Sequence, residues 1–247
     1  MRFLTKPWRM IRHRLVKIGC LKAAAKLLIE IIVRIRLFIF RIKKNNKTHS
    51  LVDFVLGDSF GLVKALQVRE EIVQLVDLVR QRRLNIVVEI GTHGGGSLFL
   101  FSMIASDNAT IVSIDLPAGD FGGGYQKDRA RIYRAFAARK QSLHLLTGDS
   151  HSSGMVDRLK QILKGRKIDF LFIDGDHTYR GVKKDYLEYS KFVKKGGIIA
   201  FHDIVEHPPQ TRCHVHRYWT EIKEKLSHLE IIKDREQGWG GIGVIYH

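Results

Sequence analysis

Five apolar runs of this chain end in residues that can do chemistry. Glu89 and Gly91 close Asn85–Ile90, and Asp115 closes Thr110–Asp115. Asp149 and Ser150 follow Ser142–Thr147, Asp174 and His177 follow Ile168–Asp174, and His202-Asp203 end Gly197–His202. Carboxylates and imidazoles in such places can accept ligand hydroxyls, hold a divalent cation or move a proton. If the fourth and fifth runs are neighbours, Asp174, His202 and Asp203 converge on one cation, and His177 faces the same space one turn beyond Asp174. A cation there orients a substrate hydroxyl and lowers its pKa. A neutral His177, near its reference pKa of about 6.5, then takes the proton as general base. The structural alternative is that Asp176 and His177 cap a helix starting near Tyr179.

The first run leads into Glu89-Ile90-Gly91-Thr92-His93-Gly94-Gly95-Gly96-Ser97. Glycines let the backbone turn tightly from strand to helix and come close to a ligand. The dinucleotide pattern GxGxxG fails, because His93 stands where its second glycine belongs, and no Gly-Lys-Ser/Thr follows to make a P-loop. Asp115 ends the second run about 20 residues on, where an acid accepts hydrogen bonds from ribose hydroxyls. Asp149 and Ser150 could reach an adenine ring, or cap the helix that begins near Gly154.

These ends need a scaffold, and the pattern supplies one. Helical stretches at about Leu98–Ala105, Lys127–Lys140, Gly154–Leu163 and Tyr179–Val193 separate the five runs. Such alternation indicates βαβ units and a parallel sheet, in which ligands bind outside the carboxyl ends of the strands. A helical periodicity from Phe60 to Leu84 precedes the sheet. A helix at His216–Leu226 and two strands, Leu229–Lys233 and Gly241–Tyr246, joined through Gln237-Gly238-Trp239-Gly240, close it as an edge hairpin. His207, Cys213, His214 and His216 invite a zinc reading, but their spacing fits no usual zinc pattern and Pro208-Pro209 marks a loop, read here as substrate-facing.

The net charge of +17 looks like a nucleic-acid signal until it is located. Residues 1–47 carry 14 Lys/Arg and one acid, giving +13, which leaves 28 basic and 24 acidic residues, or +4, for 48–247. The main domain thus gives no reason to expect a nucleic-acid partner. Within the basic arm, Lys22–Ile42 has no Gly or Pro and reads as a helix. Lys22, Lys26, Glu30, Arg34 and Arg41 form one stripe on a mostly apolar surface. Charges interrupt it too often for a membrane span, and no apolar core leads to a cleavage site, so neither a span nor a secretory signal is expected. The arm fits a helix in a membrane surface, or one that packs on the domain or a second subunit as a homo-oligomer. Two cysteines at opposite ends, Cys20 and Cys213, fit a reducing cytosol, with a peripheral place on the inner membrane face if the arm binds lipid.

The runs VVEIGTHGGGS, LLTGDSH, FLFIDGDHTYRGVKKDY and GGIIAFHDI together resemble the class I S-adenosylmethionine-dependent methyltransferases. Within them they look most like the bacterial branch related to cephalosporin-hydroxylase and macrolide-sugar O-methyltransferase proteins. The resemblance covers about Leu51 to His247. It implies an α/β, Rossmann-like, seven-stranded and mostly parallel sheet with an antiparallel last hairpin. It also implies that Glu89, Gly91, Gly95, Asp115 and Asp149 line the methyl-donor site, to which the turn adds Thr92 and Ser97, and the third run Ser150. By the same resemblance, Asp174 and His202-Asp203 match a magnesium site and His177 the base. A carboxylate usually stands where this chain has His202, which suits magnesium less and admits manganese, another imidazole-tolerant metal, or none.

The expected organisation is a helical arm, 1–47, and a methyltransferase domain, 48–247. The expected activity is methyl transfer from S-adenosylmethionine to a hydroxyl of a small polar acceptor, a sugar or natural-product-like compound, with a glycan or lipid-linked acceptor suggested by the arm. A membrane-tethered, non-catalytic cofactor-binding module is an alternative that fold alone does not separate. A nicotinamide-dependent oxidoreductase is disfavoured by His93 and by the lack of a hydride-transfer constellation.

Overall fold

The computed structural model describes residues 19–42, 47–59, 62–119, 121, 123 and 127–247. The arm's charges at 1–18 and 43–46, the start of the helix expected from Phe60, and the side chains of Lys22, Lys26 and Arg41 lie outside the described residues. Backbone proximity divides the chain into Met1–Lys44 and Asn45–His247.

In the first unit, α1 (Gly19–Ile42) is a 24-residue helix. Glu30 and Arg34, one turn apart, form an ion pair at 3.0 Å, which adds a few tenths of a kcal/mol to the helix. Among the described residues no helix is long and apolar enough to cross a membrane.

The second unit is a seven-stranded sheet: β1 (Ile86–Ile90), β2 (Thr110–Asp115), β3 (Ser142–Thr147), β4 (Ile168–Ile173), β5 (Val193–His202), β6 (His228–Ile231) and β7 (Ile242–Tyr246). Their order is β3-β2-β1-β4-β5-β7-β6. The first five run parallel, and β7 is antiparallel to both β5 and β6. The last hairpin is therefore reversed, as expected. β1 and β4 are buried along their whole length, as continuous apolar runs covered on both faces must be. On one face α4 (Gly96–Ile104) sets Phe101 against Phe170 and Phe172, with ring centroids 4.9 and 5.1 Å apart. On the other, α6 (Ser153–Leu163) and α7 (Tyr179–Tyr189) bury Leu159, Leu163, Val182 and Tyr189.

Two elements differ from the periodicity. Of the helix expected over Phe60–Leu84, the described residues form only α3 (Arg69–Arg80). The preceding residues instead cross the glycine turn: Lys64 donates its amide to the Gly94 carbonyl, and the Gly96 amide donates to the Lys64 carbonyl. Tertiary hydrogen bonds there replace helical ones. A short helix, α2 (Thr48–Asp53), continues into a π-helical turn at Phe54–Asp58, neither of which the pattern shows. The helix at Lys127 is also shorter than expected: α5 covers Lys127–Tyr133, followed by a 3-10 turn to Phe136. The last helix, α8, is Val215–Lys223.

Glu71 on α3 has no solvent exposure. It accepts from the Gly241 and Lys233 amides at 2.8 and 3.0 Å and from Gln237 Nε2 at 2.7 Å. The loop joining β6 to β7 is thus tied to the first helix of the sheet by one buried carboxylate.

Candidate active site

Strand order reverses between β1 and β4, since β2 and β3 lie on one side and β5 on the other. The crevice at such a switch point is where open α/β sheets bind ligands. A cleft of about 290 Å³ opens there, lined among others by Gly91, His93, Asp115, Phe121, Asp149, Ser150, His151, Asp174 and Asp176.

Gly91 sits at φ +88°, and a Cβ on it would lie 1.9 Å from the Asp174 carbonyl oxygen. Its own amide donates to the Ile114 carbonyl, and the Asp174 amide donates to the Ile90 carbonyl. This close approach brings the ends of β1 and β4 together. Beyond it, the Thr92 and His93 amides donate to one Asp115 oxygen at 2.9 and 2.7 Å. Burial pushes the Asp115 pKa up, and these amides work in the opposite direction. Gly95, at φ +76°, packs against the Tyr133 ring, whose hydroxyl donates to the His93 carbonyl at 2.9 Å.

The turn divides its labour. Gly91, Asp115, Asp149, Ser150 and Asp174 reach the cleft surface. Glu89, Thr92, Gly95 and Ser97 belong to its buried support rather than its lining. Glu89 is fully buried, and the Thr92 and Ser113 hydroxyls, within hydrogen-bond reach of each other, lie 3.0 and 3.3 Å from its Oε2 and share their two protons among these contacts. Burial raises the Glu89 pKa to about 8, against the lowering effect of the Ser97 and Thr92 hydroxyls.

At the ends of β4 and β5, Asp174, His202 and Asp203 come together as expected. His202 Nδ1 lies 3.1 Å from Asp174 Oδ1 and 3.2 Å from Asp203 Oδ1, and their potential ligand atoms all lie within 4.8 Å of one another. Burial lowers the His202 pKa, but the charges of Asp203 and Asp174 outweigh it and hold the imidazole protonated. Its Nε2 is buried and has no hydrogen-bond partner among the described residues. One nitrogen among carboxylate oxygens suits manganese better than magnesium.

His177 Nδ1 is 2.7 Å from Asp203 Oδ2, and Phe121 from the cleft wall packs on its ring at 4.9 Å. Its ionisation differs from expectation. Burial lowers the pKa, but Asp203 and Cys213, with the Asp174 charge behind them, raise it to about 10. The imidazole therefore carries a proton at neutral pH, held by acidic groups that spacing along the chain does not reveal. The cap at the start of α7 belongs to Thr178, whose hydroxyl accepts from the Gly181 amide at 3.0 Å. Asp176 Oδ1 accepts from the Thr178 amide at 2.8 Å, so the capping role leaves His177 free of it.

Several contributors escape a sequence reading. His151 lines the cleft with its Nε2 3.2 Å from Asp185 Oδ1, and that pairing raises its pKa against burial. Asp185, fully buried on α7, gives no local signal because its partner is 34 residues away. Gln67 Nε2 donates to Asp174 Oδ2 at 3.0 Å from the irregular segment before α3. His207 Nε2 stands 3.1 Å from Asp203 Oδ1.

Comparison with known proteins bears on this geometry. Residues 88–204 match a family model described as a methyltransferase domain. Over those residues the chain is similar to methyltransferase domains. The matched stretch runs from β1 past the end of β5, and so includes Glu89, Asp115, Asp149, Asp174, His177, His202 and Asp203. An O-methyltransferase from Bacillus cereus, solved with SAH, is 19% identical over 82% of this chain and 92% of that one, with a TM-score of 0.53. The O-methyltransferase TomG of tomaymycin synthesis from Streptomyces achromogenes, solved with SAM, is 16% identical over 82% and 90%, with a TM-score of 0.54. At these identities the likeness is one of fold. An uncharacterized protein of Acanthamoeba polyphaga mimivirus is 31% identical over 138 residues, 55% of this chain and 60% of that protein. One from Sinorhizobium fredii is 29% identical over 156 residues, 60% of this chain. The chain spans 60% of the first relative's length and 16% of the second's.

Proposed function

We propose that this protein transfers a methyl group from S-adenosylmethionine to a hydroxyl of a small polar acceptor, a sugar or natural-product-like compound. The observation that carries the reading is the adjacency of two halves at one switch point. One half is the Gly91 turn with Asp115 clamped by two backbone amides; the other is the Asp174, His202, Asp203 and His177 cluster at the neighbouring strand ends. The donor, when bound, supplies an electrophilic methyl carbon on a sulfonium. The cleft fits it: Asp115 presents a carboxylate to ribose hydroxyls, and Asp149 and Ser150 border the place for an adenine. The supporting relatives solved with SAM and SAH share this fold.

His177 takes the proton of the acceptor hydroxyl, and Asp203 orients its ring. A manganese-class cation held by Asp174, His202 and Asp203 would offset the carboxylates that keep His177 protonated and would orient the acceptor oxygen. The test is calorimetry with S-adenosylmethionine, followed by transfer of labelled methyl to small hydroxyl compounds. Asp115→Ala should lose at least about tenfold in donor affinity, because two ribose hydroxyls lose a charged acceptor. Unchanged binding in that variant refutes the site, and donor binding without transfer to any acceptor favours a non-catalytic cofactor-binding module.

The arm is read as a membrane-surface element that places the domain at an anionic cytosolic face. Its +13 charge over residues 1–47 and the interrupted apolar helix support this reading.

A further inference from the structure

The zinc pattern sought in His207, Cys213, His214 and His216 is not local, but two of those residues arrive beside His177 and Asp203. The connection after β5 turns back over its own strand end, and the His214 amide donates to the His177 carbonyl at 2.8 Å. This seats Cys213, only 5% exposed, against the end of β4. One ligand atom each from His177, Asp203 and Cys213 lie within 4.8 Å of one another. We propose that His177, Asp203 and Cys213 form a binding centre for a thiophilic divalent ion of the zinc class.

Geometry and donor chemistry carry the assignment. Zinc bound by nitrogen, oxygen and sulfur at about 2.0–2.3 Å keeps its tetrahedral ligands roughly 3.3–3.8 Å apart. His177 Nδ1 and Asp203 Oδ2, now 2.7 Å apart, need to open by only about 1 Å for the ion to replace the shared proton. Asp203 is already held in place: Gly240 donates its amide to Oδ1 at 3.0 Å, and the backbone of Asp203 sits at φ +65°, a conformation that needs such support. His207 Nε2 stands 3.1 Å from the same carboxylate. Magnesium and calcium select oxygen donors, so a buried thiol in this set points to zinc and its neighbours rather than to them. Binding releases the thiol proton and the imidazole Nδ1 proton to solvent.

Asp203 also belongs to the Asp174 and His202 cluster, so the two ions compete for one carboxylate. Under the methyl-transfer reading, on which this one consequence rests, zinc occupies the base and inhibits turnover.

The test uses the full chain with Cys20→Ser, reduced, so that Cys213 is the single thiol. Titration with cobalt(II) is expected to reach one equivalent with a near-ultraviolet thiolate-to-cobalt charge-transfer band, which zinc removes. Cys213→Ser should abolish the band and weaken zinc binding by roughly tenfold to a hundredfold or more, while Asp174→Asn keeps it. Absence of the band in the Cys20→Ser protein overturns the proposal, even if Cys213→Ser fails to fold. Unchanged zinc affinity in Cys213→Ser, or loss of the band in a folded Asp174→Asn, overturns it too. The readout is independent of S-adenosylmethionine: a chain that binds the donor but shows no band loses only this site, and the reverse loses only the methyl-transfer reading.

Discussion

Glu89 ends β1 with a carboxyl that water does not reach, and its pKa of about 8 has a consequence for stability. Between the ordinary value of 4.5 and about 8, the folded protein keeps a proton that the unfolded chain has released. Its contribution is thus fully present below pH 4.5, falls as pH rises and is lost above about 8. Glu89→Gln, which still accepts from Thr92 and Ser113, should remove this fall, a difference on the order of a few kcal/mol by pH 9. Denaturant melts of both proteins across that range check it, and parallel pH profiles would show that Glu89 is not the cause. Turnover belongs to the same scale. His177→Ala should lower labelled-methyl transfer by roughly a hundredfold or more and leave donor binding nearly intact. Wild-type rates in that variant would remove the base, and full wild-type activity after exhaustive chelation would remove the cation. The residue types at the strand ends were legible in the sequence. The protonated state of His177 was not, because its main causes, Asp203 and Cys213, lie far from it in the chain.

At the level of elements, the site depends on how closely β1 and β4 end beside each other. Gly91 sits where a Cβ would strike the Asp174 carbonyl, so Gly91→Ala must either separate the two strand ends or distort the turn. With φ at +88° as a second penalty, the expected loss is at least about 2–3 kcal/mol, read as a lower urea midpoint with an unchanged slope. A midpoint like that of the wild type would mean the approach is dispensable. Periodicity placed the strands well, since a buried parallel strand is a short apolar run bounded by polar ends. It failed over 62–68, where Lys64 exchanges hydrogen bonds with Gly94 and Gly96. No local pattern announces a segment whose backbone partners lie some 30 residues away.

For the molecule as a whole, the unequal charge of its parts is the main clue to where it works. Each basic residue near an anionic bilayer contributes on the order of 1 kcal/mol, so several in the arm outweigh the modest cost of ordering one helix. Binding is expected to be strong on acidic vesicles, weak on neutral ones and reduced by salt. Deletion of 1–47 should abolish it and leave donor binding intact, since no proposed site residue lies there. Vesicle flotation with light scattering separates this from the rival reading, in which the truncated chain changes oligomeric state. Full-length protein that ignores acidic vesicles ends the membrane proposal.

The alternation of apolar runs with amphipathic stretches, and the polar residue at each run's end, determined the parallel strands, an edge hairpin (its reversal was what the resemblance implied) and the rim on which Asp115, Asp174, His177, His202 and Asp203 would stand. Those are local properties: burial on both faces dictates composition, and the strand end dictates where polar groups meet solvent. Tertiary structure alone decided which of them face the cleft and which support it, putting Glu89, Thr92 and Ser97 beneath Asp115. It also decided that Asp185 stands behind His151, and that Cys213 and His207 close on Asp203. Such pairings join side chains from strands and loops far apart in sequence. Their distances are set by how the sheet packs and where one connection folds back, which no spacing along the chain encodes.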